Sequence, residues 1–128
     1  MRGAVVGTGI DMVGIERFRR AIDRHGERFL KRIFTHRERN ECSGRADPAR
    51  HLAARFAAKE AVFKALGTGW ARGVGWHDVE VTADDYGRPV CTLRGAAQAH
   101  LEGLGGQTVL VSLAHEGDMA VAQAVAVG

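Results

Sequence analysis

The stretch from Pro48 to Gly69, "PARHLAARFAAKEAVFKALGTG", constrains the fold more than any other. Proline at its start, glycine at its end and helical spacing between them predict one long helix, with the "GTG" at 67–69 as a left-handed terminator. With Leu52 at zero on a wheel of about 100° per residue, Phe63 falls at about 20°, Phe56 at about 40° and Leu66 at about 320°. Those residues form an apolar stripe. Glu60 lands on its shoulder at about 80°, with Lys64 one turn further on. A carboxylate held against apolar surroundings is costly unless it is paired or bound to a metal. One reading is an i,i+4 pair with Lys64, worth about 0.3–0.5 kcal/mol on a helix surface. The other is a cleft-facing ligand for a hard cation, with Lys59 and Lys64 reaching phosphates from either side.

Around this helix the rest of the chain reads as a single α+β domain of 128 residues. "AVVGTGIDMV" predicts a first strand from Ala4 to about Asp11. A helix is expected from near Gly14 or Ile15 to Arg24 or His25, ending at Gly26, then a short one over Glu27–Ile33. "THRERNEC" predicts another, with Thr35 as N-cap and Glu38 closing a capping box. Glycine-rich "GWARGVGW" follows the long helix and predicts an irregular connection from Gly67 to Gly75. "HDVEVTAD" and "PVCTLRG" predict two strands across the turn "DDYGRP". "AAQAHLEGLGG" predicts a short helix, and strands over Val109–Ala114 and Met119–Val127 meet across "HEGD".

Composition narrows the class. Apolar residues make up 45% and charged residues 26%, ordinary for a soluble globular domain. No run is long enough to span a bilayer and the N-terminus has no secretory pattern, so a cytoplasmic protein is expected. Cys42 and Cys91 are isolated, which argues against a zinc knuckle or a disulfide scaffold. The net charge of +3 is unevenly spread, with basic residues concentrated from Arg17 to Arg39. That asymmetry suggests an anionic partner at one end of the molecule. Arg17, Arg20 and Arg24 share one helical stripe. Such a ridge is either a solvated face or a receptor for an acidic helix, because Arg–carboxylate pairs give register and steering.

Asp11 is the second acid of interest. It ends an otherwise apolar strand, either to cap the following helix or, together with Glu60, to hold Mg²⁺, which takes one or two protein carboxylates and keeps its other positions for water and phosphate. The glycines of "GTG" at 67–69 and "GTGID" at 7–11 match neither nucleotide-binding fingerprint. His115 precedes a turn with Ser112 three residues earlier, but no nucleophile elbow accompanies them. The histidines at 25, 36, 51, 77 and 100 have no ligand spacing.

Three blocks, "GTGIDMVGIERF" at 7–18, "RFAAKEAVFKALGTG" at 55–69 and "VSLAHEGDMAVAQAV" at 111–125, resemble the holo-[acyl-carrier-protein] synthases, the small trimeric branch of the 4′-phosphopantetheinyl transferases. The resemblance covers nearly the whole chain, and its middle block is highly specific. It implies transfer of the phosphopantetheine arm of coenzyme A to a serine of an apo acyl carrier protein, releasing adenosine 3′,5′-bisphosphate. It also implies Asp11 and Glu60 as Mg²⁺ ligands and Lys64 as a second cation beside the pyrophosphate. Arg55, Lys59, Gly67, Thr68, Pro89, Ser112 and His115 would line the coenzyme site. Arg17, Arg20 and Arg24 would receive the acidic carrier, and active sites would lie between subunits of a homotrimer. Arg45 or Arg50 would contact the 3′-phosphate. Asn40 stands near where some members carry an acid proposed as the base, and an amide cannot take a proton. Glu38, Glu41, His115 and a metal-bound water are the remaining candidates. A basic nucleic-acid-binding module and a Mg²⁺-dependent phosphohydrolase are the readings from other classes.

Overall fold

The computed structural model describes residues 2–69 and 73–128. Residues 70–72 of the expected glycine-rich connection lie outside that set. The element order is β1 (Val5–Gly14), α1 (Ile15–Ile33), α2 (His36–Ser43), α3 (Pro48–Leu66), β2 (Val79–Ala83), β3 (Pro89–Leu93), α4 (Gly95–Gly103), β4 (Thr108–Glu116) and β5 (Met119–Val127). The α+β class holds.

Two antiparallel sheets form: β1-β5-β4, and the hairpin β2-β3. The first strand runs three residues past Asp11 because Met12, Val13 and Gly14 find partners in Val121, Ala120 and Met119. The hairpin starts at Val79 rather than His77, since Trp76–Asp78 winds into a 3-10 turn. In α1 the backbone leaves helical geometry at Gly26 (φ 68°, ψ −157°), so the expected division there is real although hydrogen bonding runs on either side. Arg19 ties α1 to the start of α3 by a two-pronged bond to Asp47 (2.9 and 3.1 Å).

The face of the larger sheet turned toward α3 is built from small residues. Ala122, Ala124 and Ala126 of β5 are fully buried with Ala57, Ala58 and Ala61 of α3. Gly7 and Gly9 of β1 complete that surface. A Cβ on Gly7 would stand 2.0 Å from the Ala65 carbonyl oxygen, and one on Gly9 2.0 Å from that of Ala61. Glycine inside a strand often marks such a close backbone approach. The "GTG" at 7–9 therefore serves helix–sheet packing.

Helix α3 ends as expected, with Gly67 left-handed (φ 74°) and its N–H bonded to the Lys64 and Phe63 carbonyls. The capping box of α2 is present in both directions, Glu38 N–H to Thr35 Oγ1 (3.2 Å) and Thr35 N–H to Glu38 Oε1 (2.8 Å). Glu38 does more than cap, however. Its carboxylate also accepts from Lys59 Nζ (2.8 Å) and from the Val81 N–H (2.7 Å), so one buried acid joins α2, α3 and β2. Glu41 repeats the device one turn on, accepting from the Ala83 N–H (3.0 Å) and pairing with Arg55 (3.1 Å). Together the two acids satisfy backbone donors along the edge of β2 and fix the hairpin beside α3.

Candidate active site

Asp11 follows Gly9 by two residues, so strand alternation aims it at the α3 side of the sheet. Glu60 directly precedes Ala61, the residue against which Gly9 packs. Lys64 Nζ donates to Asp11 Oδ1 (3.1 Å) and to the Ile10 carbonyl (2.9 Å). Asp11, Glu60 and Lys64 thus share one flank of α3 where it crosses β1. A cavity of about 320 Å³ opens between the end of β1 and α1, lined by Asp11 and Arg17 with Phe18, Phe29 and Phe56. Arg17, Arg20 and Arg24 lie together on the exposed side of α1, with Asp23 between them.

A second cavity of about 250 Å³ opens on the other flank of α3, between the hairpin and β4. Arg45, His51, Arg55, Pro89 and His115 line it. Three of these, Arg55, Pro89 and His115, are among the residues expected from sequence. Of Arg45 and Arg50, only Arg45 reaches the lining, while Arg50 leans toward Asp47 (3.8 Å). His51 joins them without any sequence signal, its ring set edge-on to that of His115 at 6.3 Å between centroids. Burial, then the charge of Arg45, holds the His51 imidazole below its ordinary pKa. Arg55 is buried and held by the Val81 carbonyl (2.8 Å) as well as Glu41, so its charge is fixed in place.

Other expectations need correction. Lys59 does not flank a phosphate: it is completely buried and bonded to Glu38 at 2.8 Å. The wheel explains why, because residue 59 falls at about 340°, inside the apolar stripe rather than on its shoulder. Burial lowers the Lys59 pKa, with Glu38 opposing the shift. Ser112 and His115 do not share a wall. Val109, Leu113 and His115 alternate with Leu110, Ser112 and Ala114, and Ser112 points to the exposed outer face of the sheet, beside Gln123. Thr68 is buried with its hydroxyl donating to the Gly69 carbonyl (3.0 Å). Neither Glu38 nor Glu41 is free to serve as a base, since both carboxylates hold structural donors.

The donor set near β1 suits a hard cation. Asp11 already accepts an ammonium group, and the described residues contain no cluster of three or more His, Cys, Asp or Glu side chains able to hold a metal. A cation there would keep most positions for water and phosphate oxygens, the habit of Mg²⁺.

The sequence profile of the 4′-phosphopantetheinyl transferase superfamily matches residues 7–122. The chain belongs to that superfamily. Holo-[acyl-carrier-protein] synthase of Desulforudis audaxviator is 52% identical over 124 residues, covering 97% of this chain and 94% of that one. The crystal structure of the Neisseria meningitidis synthase superposes with a TM-score of 0.87 at 35% identity, covering 98% of this chain and all of the other. The Bacillus anthracis synthase, solved in complex with CoA (3′,5′-ADP), superposes with a TM-score of 0.80 at 35% identity over 97% of each chain. No helix among the described residues is long and apolar enough to cross a membrane.

Proposed function

We propose that the chain transfers the 4′-phosphopantetheine arm of coenzyme A to a serine of an apo acyl carrier protein and releases adenosine 3′,5′-bisphosphate. The observation that carries this reading is the position of Asp11, which meets the Lys64 ammonium and shares a cavity with Arg17 of the basic ridge. A carrier docked on Arg17, Arg20 and Arg24 would bring its serine to the flank where the coenzyme's pyrophosphate is held. Family membership favours this chemistry over phosphate hydrolysis or nucleic-acid binding.

Asp11 and Glu60 would hold Mg²⁺, which supplies positive charge to the phosphoryl oxygens. Lys64 adds a second cation to the same flank. The serine oxygen forms a bond to the pantetheine-side phosphorus, the bridging P–O bond breaks, and the electron pair leaves on the bisphosphate. The serine proton goes to a base.

The two cavities belong to one site only if two copies of the chain meet. Glu60 and Lys64 leave α3 at about 80° and 120°, whereas His51 and Arg55 leave at about 260° and 300°, nearly opposite. A helix about 10 Å across separates them. The pyrophosphate held at one flank and the 3′-phosphate held at the other are therefore best joined by apposing copies, in keeping with a homotrimer. The outer sheet face supports this: Ile10, Met12 and Leu110 are each about 60% exposed there, an unusual density of bare apolar side chains. The two free thiols, Cys42 and Cys91, suit a cytoplasmic setting.

Incubation with coenzyme A, Mg²⁺ and an apo acyl carrier protein should raise the carrier's mass by one phosphopantetheine group. No adduct on any of several carriers would refute the assignment.

A further inference from the structure

The cavity holding His51 and His115 contains more than an anion site requires. Arg45 and Arg55 already supply two permanent charges, and the two imidazoles stand beside them at 6.3 Å from each other. We propose that His51 is a proton-linked specificity residue that accepts a proton when a doubly charged phosphate monoester enters this cavity. The inference rests on the transferase reading above, in which the 3′-phosphate of coenzyme A occupies this flank of α3.

The surroundings of His51 bear on the charge of its ring. It projects from the first turn of α3, half-buried. Arg45 faces it from the loop before α3, Arg55 from the next turn, and His115 from β4, and all three positive or proton-accepting neighbours disfavour a charge on its ring. Asp47 at the helix start is the one group that favours the charge, and its carboxylate is already engaged with Arg19. The hairpin contributes Thr82, Ala83, Gly87 and Pro89 to the lining, none of them titratable. Burial first, and then these neighbours, hold the His51 imidazole below its ordinary pKa in the empty cavity. A dianion placed among Arg45, Arg55 and His115 reverses that balance, because it offsets the arginine charges and offers an acceptor for the ring N–H.

The sign follows from linkage. If the ligand raises the pKa of His51, binding takes up a proton and affinity rises as pH falls toward the free-state pKa. The gain disappears above the pKa of the complex, with a slope of at most about tenfold per pH unit for one proton. A ligand without the monoester phosphate leaves His51 as it was. This would make discrimination between coenzyme A and its 3′-dephospho form depend on pH, sharpest on the acidic side of neutrality.

Calorimetric titration of the intact protein with coenzyme A, repeated in buffers of different ionisation enthalpy, counts the protons directly. The phosphate's own proton is common to every variant, so the difference between variants isolates the protein's part. The wild-type chain should take up more protons than His51→Phe near neutral pH, and the variant should lose most of the pH dependence of its preference for coenzyme A over 3′-dephospho-coenzyme A. His51→Gln, which keeps a polar side chain of similar length, should behave likewise and serves if the phenylalanine variant does not fold. An unchanged proton count in the folded variant, or an equal count with 3′-dephospho-coenzyme A, would overturn the role of His51. Failure of the wild-type chain to bind coenzyme A at all would instead overturn the transferase reading beneath it.

Discussion

Gly9 of β1 lies against the backbone of Ala61 in α3, so close that an added Cβ would stand 2.0 Å from the Ala61 carbonyl oxygen. This approach sets the spacing between strand and helix at the point where Asp11 and Glu60 emerge. Replacing a strand glycine by alanine ordinarily stabilises by up to about 1 kcal/mol through the unfolded chain. Gly9→Ala should do the opposite and destabilise by about 1–3 kcal/mol, since backbone must move to admit the methyl group. Urea unfolding measures it; a neutral or stabilising result would mean that the strand and helix are not in this contact.

Glu60→Gln is nearly isosteric and a poor ligand for a hard cation. Transfer should fall by at least about a hundredfold, consistent with the several kcal/mol that metal charge contributes to phosphoryl transfer. Far-ultraviolet circular dichroism and the melting temperature should stay near wild type. Full turnover with this variant would remove the metal role assigned to Glu60.

Lys59→Met should fold poorly or lose about 3–5 kcal/mol, because it strands the Glu38 carboxylate in the interior without its cation. Adding Glu38→Gln should recover part of that loss, as a neutral amide no longer needs the ammonium group. A single variant as stable as wild type would show that the buried pair is dispensable.

Arg17→Glu reverses one charge of the exposed ridge without touching the second cavity. The KM for the acyl carrier protein should rise by at least about tenfold and its salt dependence should weaken, with a far smaller loss of coenzyme A affinity. Equal losses for both substrates would argue against a docking ridge.

Leu110→Asp places a charge on the exposed outer face of the larger sheet, away from both cavities. Sedimentation should show a shift from trimer to monomer, and transfer activity should disappear with the assembly while the secondary structure persists. A monomeric variant with full activity would mean that one chain holds a complete site.

How far these features could be read without coordinates depends on the range of the interactions that create them. The start and stop of α3, the capping box at Thr35 and Glu38 and the break at Gly26 follow from local backbone chemistry, and all are present. Ser112 stands apart from His115 because a strand sends neighbours of opposite parity to opposite faces, and only the pairing of β4 with β5 reveals which face is covered. Lys59 reads from sequence as a phosphate ligand although its wheel position lies inside the apolar stripe, since a buried cation becomes credible only once a partner such as Glu38, 21 positions earlier, is seen beside it.

By itself the sequence determined the class of the fold, the run of its helices and the chemical types of the acting residues, because these rest on periodicity, capping and residue chemistry within a few positions. Only the tertiary structure decided which charges serve the interior and which serve a ligand. It turned Gly7 and Gly9 from a phosphate-loop look-alike into a packing surface, and it put His51 and Arg45 beside Arg55 and His115. Those outcomes depend on contacts between segments far apart along the chain, and no local rule encodes them.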